Sequence, residues 1–382
     1  MIRNPLLSML SYLEISKENL LHNFAALKSL VRPEVEIISV IKANAYGHGQ
    51  NEVAQILEEV TNYFQVDDLQ ELKLLREVSQ KPTLVLGYVA SEEIKEALSL
   101  EAVLSVYDEK QILEIEKNAN SLGKIVDVHV KIDARLGRQG VLPENVQSIV
   151  EVLKKCQHIR VQAAYCHFAN IEDTADFSHA QKQIEVFEQV VAFFRKNGFE
   201  NIKTHLSASS GVMVYENSQG KSGFVRPGLS LYGMWPCEEL KQRLESVDFS
   251  LKPVMRWVSH IAQVKILPVG HSIGYGLTFM TSRPTKIAII PQGYSDGYDR
   301  GLSNKGEVLI SGSRCQVLGR VAMNMFVVDV SHLETVSAED EVVLLGRQGN
   351  ETISAEEIAE KIETINYEIT TRVSPLLKRI VC

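Results

Sequence analysis

No run in this chain approaches the ~20 consecutive apolar residues that a membrane-spanning helix needs, so membrane partnership is not expected. The N-terminal stretch MIRNPLLSMLSYLEIS has apolar residues, but Ser and Asn interrupt them and no small-residue cleavage pattern follows, so no signal peptide is read. Cysteine is sparse. The five present (Cys156, Cys166, Cys237, Cys315, Cys382) are odd in number, scattered, and without metal-type pair spacing, which fits reduced thiols in a cytoplasmic protein and gives no metal site. Positive charge is also short, with 40 Lys and Arg against 48 Asp and Glu for a net charge of -8. A general nucleic-acid surface is therefore not expected, though a local anion site stays open. Low-complexity tracts are missing too. What remains, 45% hydrophobic and 23% charged over 382 residues, is the composition of a globular enzyme with two or three domains.

Strand-like and helix-like segments alternate through the first 230 residues. A first helix starts at Ser16, with Leu20, Phe24, Leu27 and Val31 on one face, and the clearest amphipathic helix runs from Gln183 to Lys196. Strands are predicted near Ile37 to Lys42, Tyr63 to Val66, Thr83 to Leu86, Ala102 to Val106, Ile125 to Ile132, Arg160 to His167, Lys203 to Ser207 and Phe224 to Leu231. Eight such strands fit a closed parallel (β/α)8 barrel of the TIM type, although an open doubly wound sheet shows the same alternation. The barrel is favoured because Lys42, Arg138, His167, Ser209 and Arg226 all fall in or just after a strand, toward its C-terminal end. In a barrel those ends converge on one mouth. Past about Leu240 a polar stretch reads as a linker, and the chain then becomes strand-rich, with one helix from Ser354 to Ile362 opened by a Ser354 to Glu357 capping box. The expected α/β plus β organisation is an N-terminal extension over 1–11 packing on the β domain, a barrel over 12–243, and a mostly β domain over 244–382.

The stretch VIKANAYGHG ends a buried strand on Lys42. A lysine there can simply reach water while its stem packs, or it can be a Schiff-base lysine, whose amine is readily tuned by desolvation. The local pattern leaves both open. This stretch resembles the pyridoxal-phosphate lysine motif of alanine racemases, and further matches follow in that family's order: KIDARLGRQG, CHFAN, HLSASSG, VRPGLSLYG, IGYGLTF, PQGYSDGYDR, GRVAMNM and INYEITTRVS. They span nearly the whole chain.

The resemblance implies a two-base racemisation of alanine, supplying D-alanine for cell-wall peptidoglycan. Pyridoxal phosphate would be held on Lys42, which then serves as the base on one face of the substrate's α-carbon. Tyr275 from the β domain would serve the other face. A free tyrosine has a pKa near 10, so it needs tuning, and the resemblance places His167 and Arg226 in the network that does so. Arg226 can only donate; set against the pyridine nitrogen it leaves that nitrogen unprotonated. The resemblance further gives the cofactor phosphate to the Gly228 and Leu229 N–H groups with Ser209, Tyr46 and Tyr367, and the substrate carboxylate to Arg138 and the Met323 backbone; the lysine matching Lys131 is carbamylated in some family members, which makes Lys131 a candidate for that modification. It also implies a homodimer whose active sites are shared between subunits.

Two positions depart from the family pattern. Asn324 stands where an aspartate commonly follows the methionine, and SASS replaces an Asn-Ser pair around Ser209. Of the rival readings, a barrel decarboxylase would need a glutamate where FVRPG offers Arg226, and a non-catalytic cofactor-binding barrel would end before the second domain. A racemase for serine or a broader range of amino acids is the closer alternative. Tyr46 and Tyr367 are expected to leave room for little more than a methyl group, which favours alanine.

Overall fold

The first strand, β1 (Tyr12–Ile15), does not join the strands that follow it. In a computed structural model that describes residues 10–172, 176–216 and 222–382, β1 pairs antiparallel with Met255–His260 and parallel with Lys378–Val381. The expected barrel boundary at residue 12 is corrected accordingly: this alternating strand completes the C-terminal sheet. The N-terminal extension falls largely outside the described residues. Of its last two, Leu10 accepts at its carbonyl from His260 Nδ1 at 2.9 Å, and Ser11 Oγ lies 2.8 Å from Ser259 Oγ.

The described residues form two compact units, one within 21–45 and 53–251, the other within 10–20, 46–52 and 252–382. In the first unit, β2 (Glu36–Val40), β3 (Tyr63–Val66), β4 (Thr83–Val85), β5 (Ala102–Val106), β6 (Val126–Lys131), β7 (Ile159–Tyr165) and β8 (Lys203–His205) pair parallel in sequence order, and β9 (Phe224–Val225) pairs with β2. The Gly223 N–H donates to Thr204 O and the Arg226 N–H to Ser207 O, each at 2.9 Å. These two bonds close the ring between β9 and β8. Parallel pairing leaves both faces of the sheet to be covered, and the strands accordingly read as apolar runs; Ile38, Ala163 and Phe224 form part of the interior, with Tyr63 packed against them.

Two segments differ from expectation. The strand predicted from Phe224 to Leu231 ends at Val225, because Pro227 cannot donate to a ladder, and the chain turns into a short 3-10 helix, Leu229–Tyr232. The polar linker contains a helix, Glu238–Glu245, whose Leu240 and Leu244 are buried one turn apart. Two apolar residues at i, i+4 suffice to anchor a short helix that otherwise reads as solvated.

The second unit is a ten-stranded sheet. Its order runs Gln263–Leu267, Thr285–Ile290, Phe326–Asp329, Ser313–Leu318, Glu307–Ile310, Glu341–Gln348, Met255–His260, β1, Lys378–Val381, with Glu351–Ile353 beside Glu341–Gln348. Leu267, Ile273, Ile287 and Leu318 form a buried cluster there, and Phe279 and Val327 pack on it. The capped helix is present as Ala355–Lys361, with Ser354 Oγ accepting from the Glu357 N–H at 3.1 Å.

Candidate active site

Lys42 stands two residues beyond β2, and the backbone after it is unusual. Ala43, Asn44, Ala45 and Tyr46 all have φ between 53° and 54°, a left-handed turn built without glycine. Each such residue costs about 1–2 kcal/mol relative to the right-handed form, so the turn persists only where its surroundings over-determine it. Glu71 Oε1 accepts from the Ala43 N–H at 2.6 Å, and Ala45 N–H donates to Ile41 O at 2.8 Å. Strain of this kind concentrates at functional positions, and here it sets where Lys42 leaves the strand.

Other predicted residues gather in the same barrel unit. Arg226 is buried after β9, its Nη2 donating to Cys166 O at 2.7 Å and Leu206 O at 3.3 Å, and its guanidinium carbon lies 5.2 Å from the centre of the Tyr165 ring. Lys131 ends β6, buried, and donates to Gln139 Oε1 at 2.8 Å. Burial first, then the nearby charges of Arg138, Arg226 and Lys42, pull its amine down to about 8. His167 is brought down to about 3 by desolvation and by Arg226, Arg138, Lys131 and Lys42. Four cations thus act on one neutral imidazole. Arg138 is exposed, on a loop held because the Asp133 carboxylate accepts from the N–H groups of Leu136, Gly137 and Arg138 at 2.9–3.0 Å.

Ser209 Oγ accepts from the N–H groups of Gly228 at 3.1 Å and Ser230 at 3.2 Å. The expected set of phosphate donors, Gly228 and Leu229 N–H with Ser209, therefore meets in part within itself: Gly228 N–H is turned onto the Ser209 hydroxyl, and the second donor on that oxygen is Ser230.

The remaining predicted residues lie in the β unit. Tyr46 and Tyr367 face each other there with ring centroids 6.0 Å apart. Gly47, at φ 86°, makes that possible: a Cβ at this position would stand 1.9 Å from Thr370 O. Arg379 Nη2 also donates to Gly47 O at 2.9 Å, anchoring the segment. Tyr275 opens a 3-10 turn, Tyr275–Leu277, in the hairpin of Ser272–Ile273 with Phe279–Met280, and is 74% exposed. Met323 is exposed too, its carbonyl accepting from the Ser295 N–H at 3.0 Å, while Asn324 Nδ2 donates to Ser295 Oγ at 2.7 Å.

Several residues of the barrel interior escaped sequence reading. Gln162 Nε2 donates to the Tyr63 hydroxyl at 2.7 Å, so its Oε1 is the acceptor facing His129 Nε2 at 2.6 Å. His129 Nδ1 is then left to accept from His205 Nε2 at 3.0 Å. His205 stacks on Tyr165 at 4.6 Å, and Tyr165 shares a hydrogen bond with Ser105 at 2.7 Å. Burial brings His129 down to about 4 and His205 well below its ordinary value. Both are neutral, as the relay requires. Alternation in β6 and β8 could have pointed these rings inward, but nothing local shows that they meet.

A parallel eight-stranded barrel with a lysine and two arginines in or after its strands, followed in the chain by a β unit that displays a tyrosine, has the architecture of a two-domain barrel enzyme. The family models described as the alanine racemase N-terminal and C-terminal domains match residues 15–236 and 254–381. The alanine racemase of Carboxydothermus hydrogenoformans is 39% identical over 369 residues, covering 96% of this chain and 98% of the relative. The solved alanine racemase of Clostridium difficile 630 superposes with a TM-score of 0.91 at 31% identity, covering 98% of this chain and 96% of that one. That of Bacillus anthracis with bound L-Ala-P gives 0.91 at 30%, covering 98% and 95%. The chain belongs to the alanine racemase family, and its reaction is the interconversion of L- and D-alanine.

Proposed function

We propose that Lys42 and Tyr275 are the two bases of this racemisation, that pyridoxal phosphate is the cofactor, and that the D-alanine formed serves cell-wall synthesis in the cytoplasm. The observation that carries the reading is the set of cations in the barrel unit. After burial itself, Arg226, Arg138, Lys131 and Lys42 all lower His167, and such a set fits a ligand bearing a phosphate, a phenolate and, with substrate, a carboxylate. The cofactor supplies the electron sink that makes the α-proton removable.

The chain's own residues supply the rest. Lys42 Nζ would hold the cofactor and, as a free amine once released, would move a proton on one face of the substrate's α-carbon; the Tyr275 hydroxyl would do so on the other. Arg226, fixed by two backbone carbonyls and unable to lose its proton, would donate to a ring nitrogen of the cofactor without protonating it. Arg138 takes the substrate carboxylate together with the Met323 backbone. Gly228 and Leu229 N–H, the Ser209 hydroxyl, Tyr46 and Tyr367 would hold the phosphate, for which Gly228 N–H would have to leave Ser209 Oγ. His167, kept neutral, hydrogen-bonds within the site without adding charge. Lys131, whose lowered pKa raises the share of free amine, is the amine suited to take up carbon dioxide: its nitrogen bonds the carbon, a proton leaves, and the resulting carbamate anion offsets its cationic neighbours.

The β unit carries Tyr275, Leu277, Met280, Met323 and Met325, all large and exposed. Large apolar side chains left exposed fit a surface that is covered on assembly, and we read a homodimer in which each Tyr275 serves its partner's barrel. The test of the reading is direct. Borohydride reduction of the loaded protein followed by peptide mapping is expected to place the label on Lys42, and Lys42→Ala is expected to lose both the colour and at least about a thousandfold in racemisation. A label on another lysine overturns the assignment.

A further inference from the structure

Lys42 has a charged partner that the reaction as described does not use. Its Nζ donates to Asp67 Oδ1 at 3.0 Å. Asp67 stands one residue beyond β3, the strand paired directly with β2, so the two side chains leave neighbouring strands at the same end. Glu71 holds both of their backbones. One oxygen of its carboxylate accepts from the Ala43 N–H at 2.6 Å and the other from the Asp67 N–H at 2.7 Å. Glu71 is in turn placed by the cap of its own helix, Leu69–Arg76, where Asp68 Oδ1 accepts from the Glu71 N–H at 2.9 Å. Burial pushes the Glu71 carboxyl up, against the pull of these two backbone hydrogen bonds.

Folding gives no reason for the Asp67 carboxylate. Its side chain is 49% exposed and that of Lys42 33%, and a pair so open to water adds about 0–1 kcal/mol at most. The surrounding charge gives a reason. Arg138 and Arg226 are cations that act, together with Lys42, on the same neighbour, Lys131, and like charges gathered there favour a free Lys42 ammonium turned away from them. Lysine's flexible four-carbon stem, with about 2 kcal/mol of rotamer entropy, lets it swing away.

We propose that Asp67 is a positioning residue for Lys42: whenever the lysine amine is not covalently engaged, the Asp67 carboxylate holds it at the end of β2, with Glu71 tying the two backbones into one clamp. The proposal rests on the reading of Lys42 as the reactive amine. Asp67 forms no bond and breaks none; it keeps the amine within reach of the carbon it leaves and rejoins.

The test uses the full-length protein freed of cofactor and a neutral acylating reagent, N-hydroxysuccinimidyl acetate, with the rate at each lysine read by peptide mass spectrometry. An amine tied to a carboxylate acylates more slowly than an untied one. Asp67→Asn and Asp67→Ser are therefore expected to speed acylation of Lys42 about three- to tenfold, while Lys203, paired with Glu36 at 3.0 Å, keeps its rate. Asp67→Glu, which retains the charge, restores most of the protection, and Glu71→Gln falls between. In the loaded enzyme Asp67→Asn lowers kcat with little change in KM. A Lys42 rate in both variants within twofold of wild type, with Lys203 steady, overturns the proposal. Borohydride mapping that misses Lys42 overturns the assigned reaction role instead, and leaves the acylation result to be read by itself.

Discussion

The two units handle their polar groups in opposite ways. The barrel unit hides them: His129, His205, Lys131, Asp133, Ser209 and Arg226 are all buried. The β unit spreads its charges over exposed and half-buried networks. Arg314 alone meets Glu307, Glu351 and Glu357 at 2.7–3.1 Å, and Lys361 meets Glu307 and Glu357 at 2.7 and 2.9 Å. Buried basic groups lose affinity for protons, whereas those networks gain it: Lys131 and the buried histidines are lowered, Arg314 and Lys361 raised. The chemistry of the barrel unit is thus set by desolvation within a rigid ring. That of the β unit has still to be made, since the Tyr275 side chain stands open to water.

The largest expected effect follows from that exposure. Tyr275→Phe is expected to lower racemisation by about 10²–10⁴-fold, the range for loss of a positioned acid or base, with little loss of melting temperature. Co-expressing it with Lys42→Ala sharpens the comparison. If each site draws its tyrosine from a partner, the mixed dimer has one site with both lesions and one with neither, and it recovers up to about half the wild-type rate. Mixed dimers verified by differential tags that stay as inactive as their parents would place Tyr275 in service of its own chain.

Acid should separate the units next. His129 has a folded pKa of about 4 and His167 about 3, against 6.5 unfolded. Between those values and pH 6.5 the unfolded chain binds protons that the native barrel does not, so stability falls as pH falls through that window. The whole contribution of His129 is about 3 kcal/mol, from roughly 1.4 kcal/mol per pKa unit, and it is fully lost only below about pH 4. Urea unfolding of the cofactor-free protein from pH 7 to 4 should show this slope, and His129→Gln should flatten it. An equal slope in the variant would show that the protons go elsewhere.

Local signals carried most of the architecture. Seven barrel strands begin and end within about two residues of where alternation and β-branched runs put them, and the Ser354 cap is where its box predicts. The turn after Lys42 was not legible, because four non-glycine residues at positive φ contradict every local preference and are held from outside by Glu71, 28 residues along the chain. Asp67 was missed for a related reason: VDDLQE reads as a strand end and a helix cap, and only the pairing of β2 with β3 sets Asp67 beside Lys42. The histidine relay joins side chains 33, 76 and 99 residues apart. Such distances are invisible to any window of sequence.

That relay carries the smallest of the expected effects. Gln162 is its keystone, since it alone both donates to Tyr63 and accepts from His129. Gln162→Leu leaves the His129 N–H without an acceptor inside the barrel, and an unmet buried group of this kind costs about 1–3 kcal/mol. Melting of the purified variant should fall accordingly. A glutamate at the same position separates geometry from mere polarity. Its carboxylate can accept from His129 Nε2 and from the Tyr63 hydroxyl at once, so the chain of donors survives while a negative charge is added beside His129. Gln162→Glu should then recover much of the lost stability at neutral pH and lift the pKa of His129, which histidine-selective NMR would register as titration at higher pH than in the wild type. If Gln162→Glu melts no higher than Gln162→Leu, and His129 titrates as before, the hydrogen-bond direction assigned through Gln162 is wrong, and His129 is held by packing against Phe224 and His205 alone.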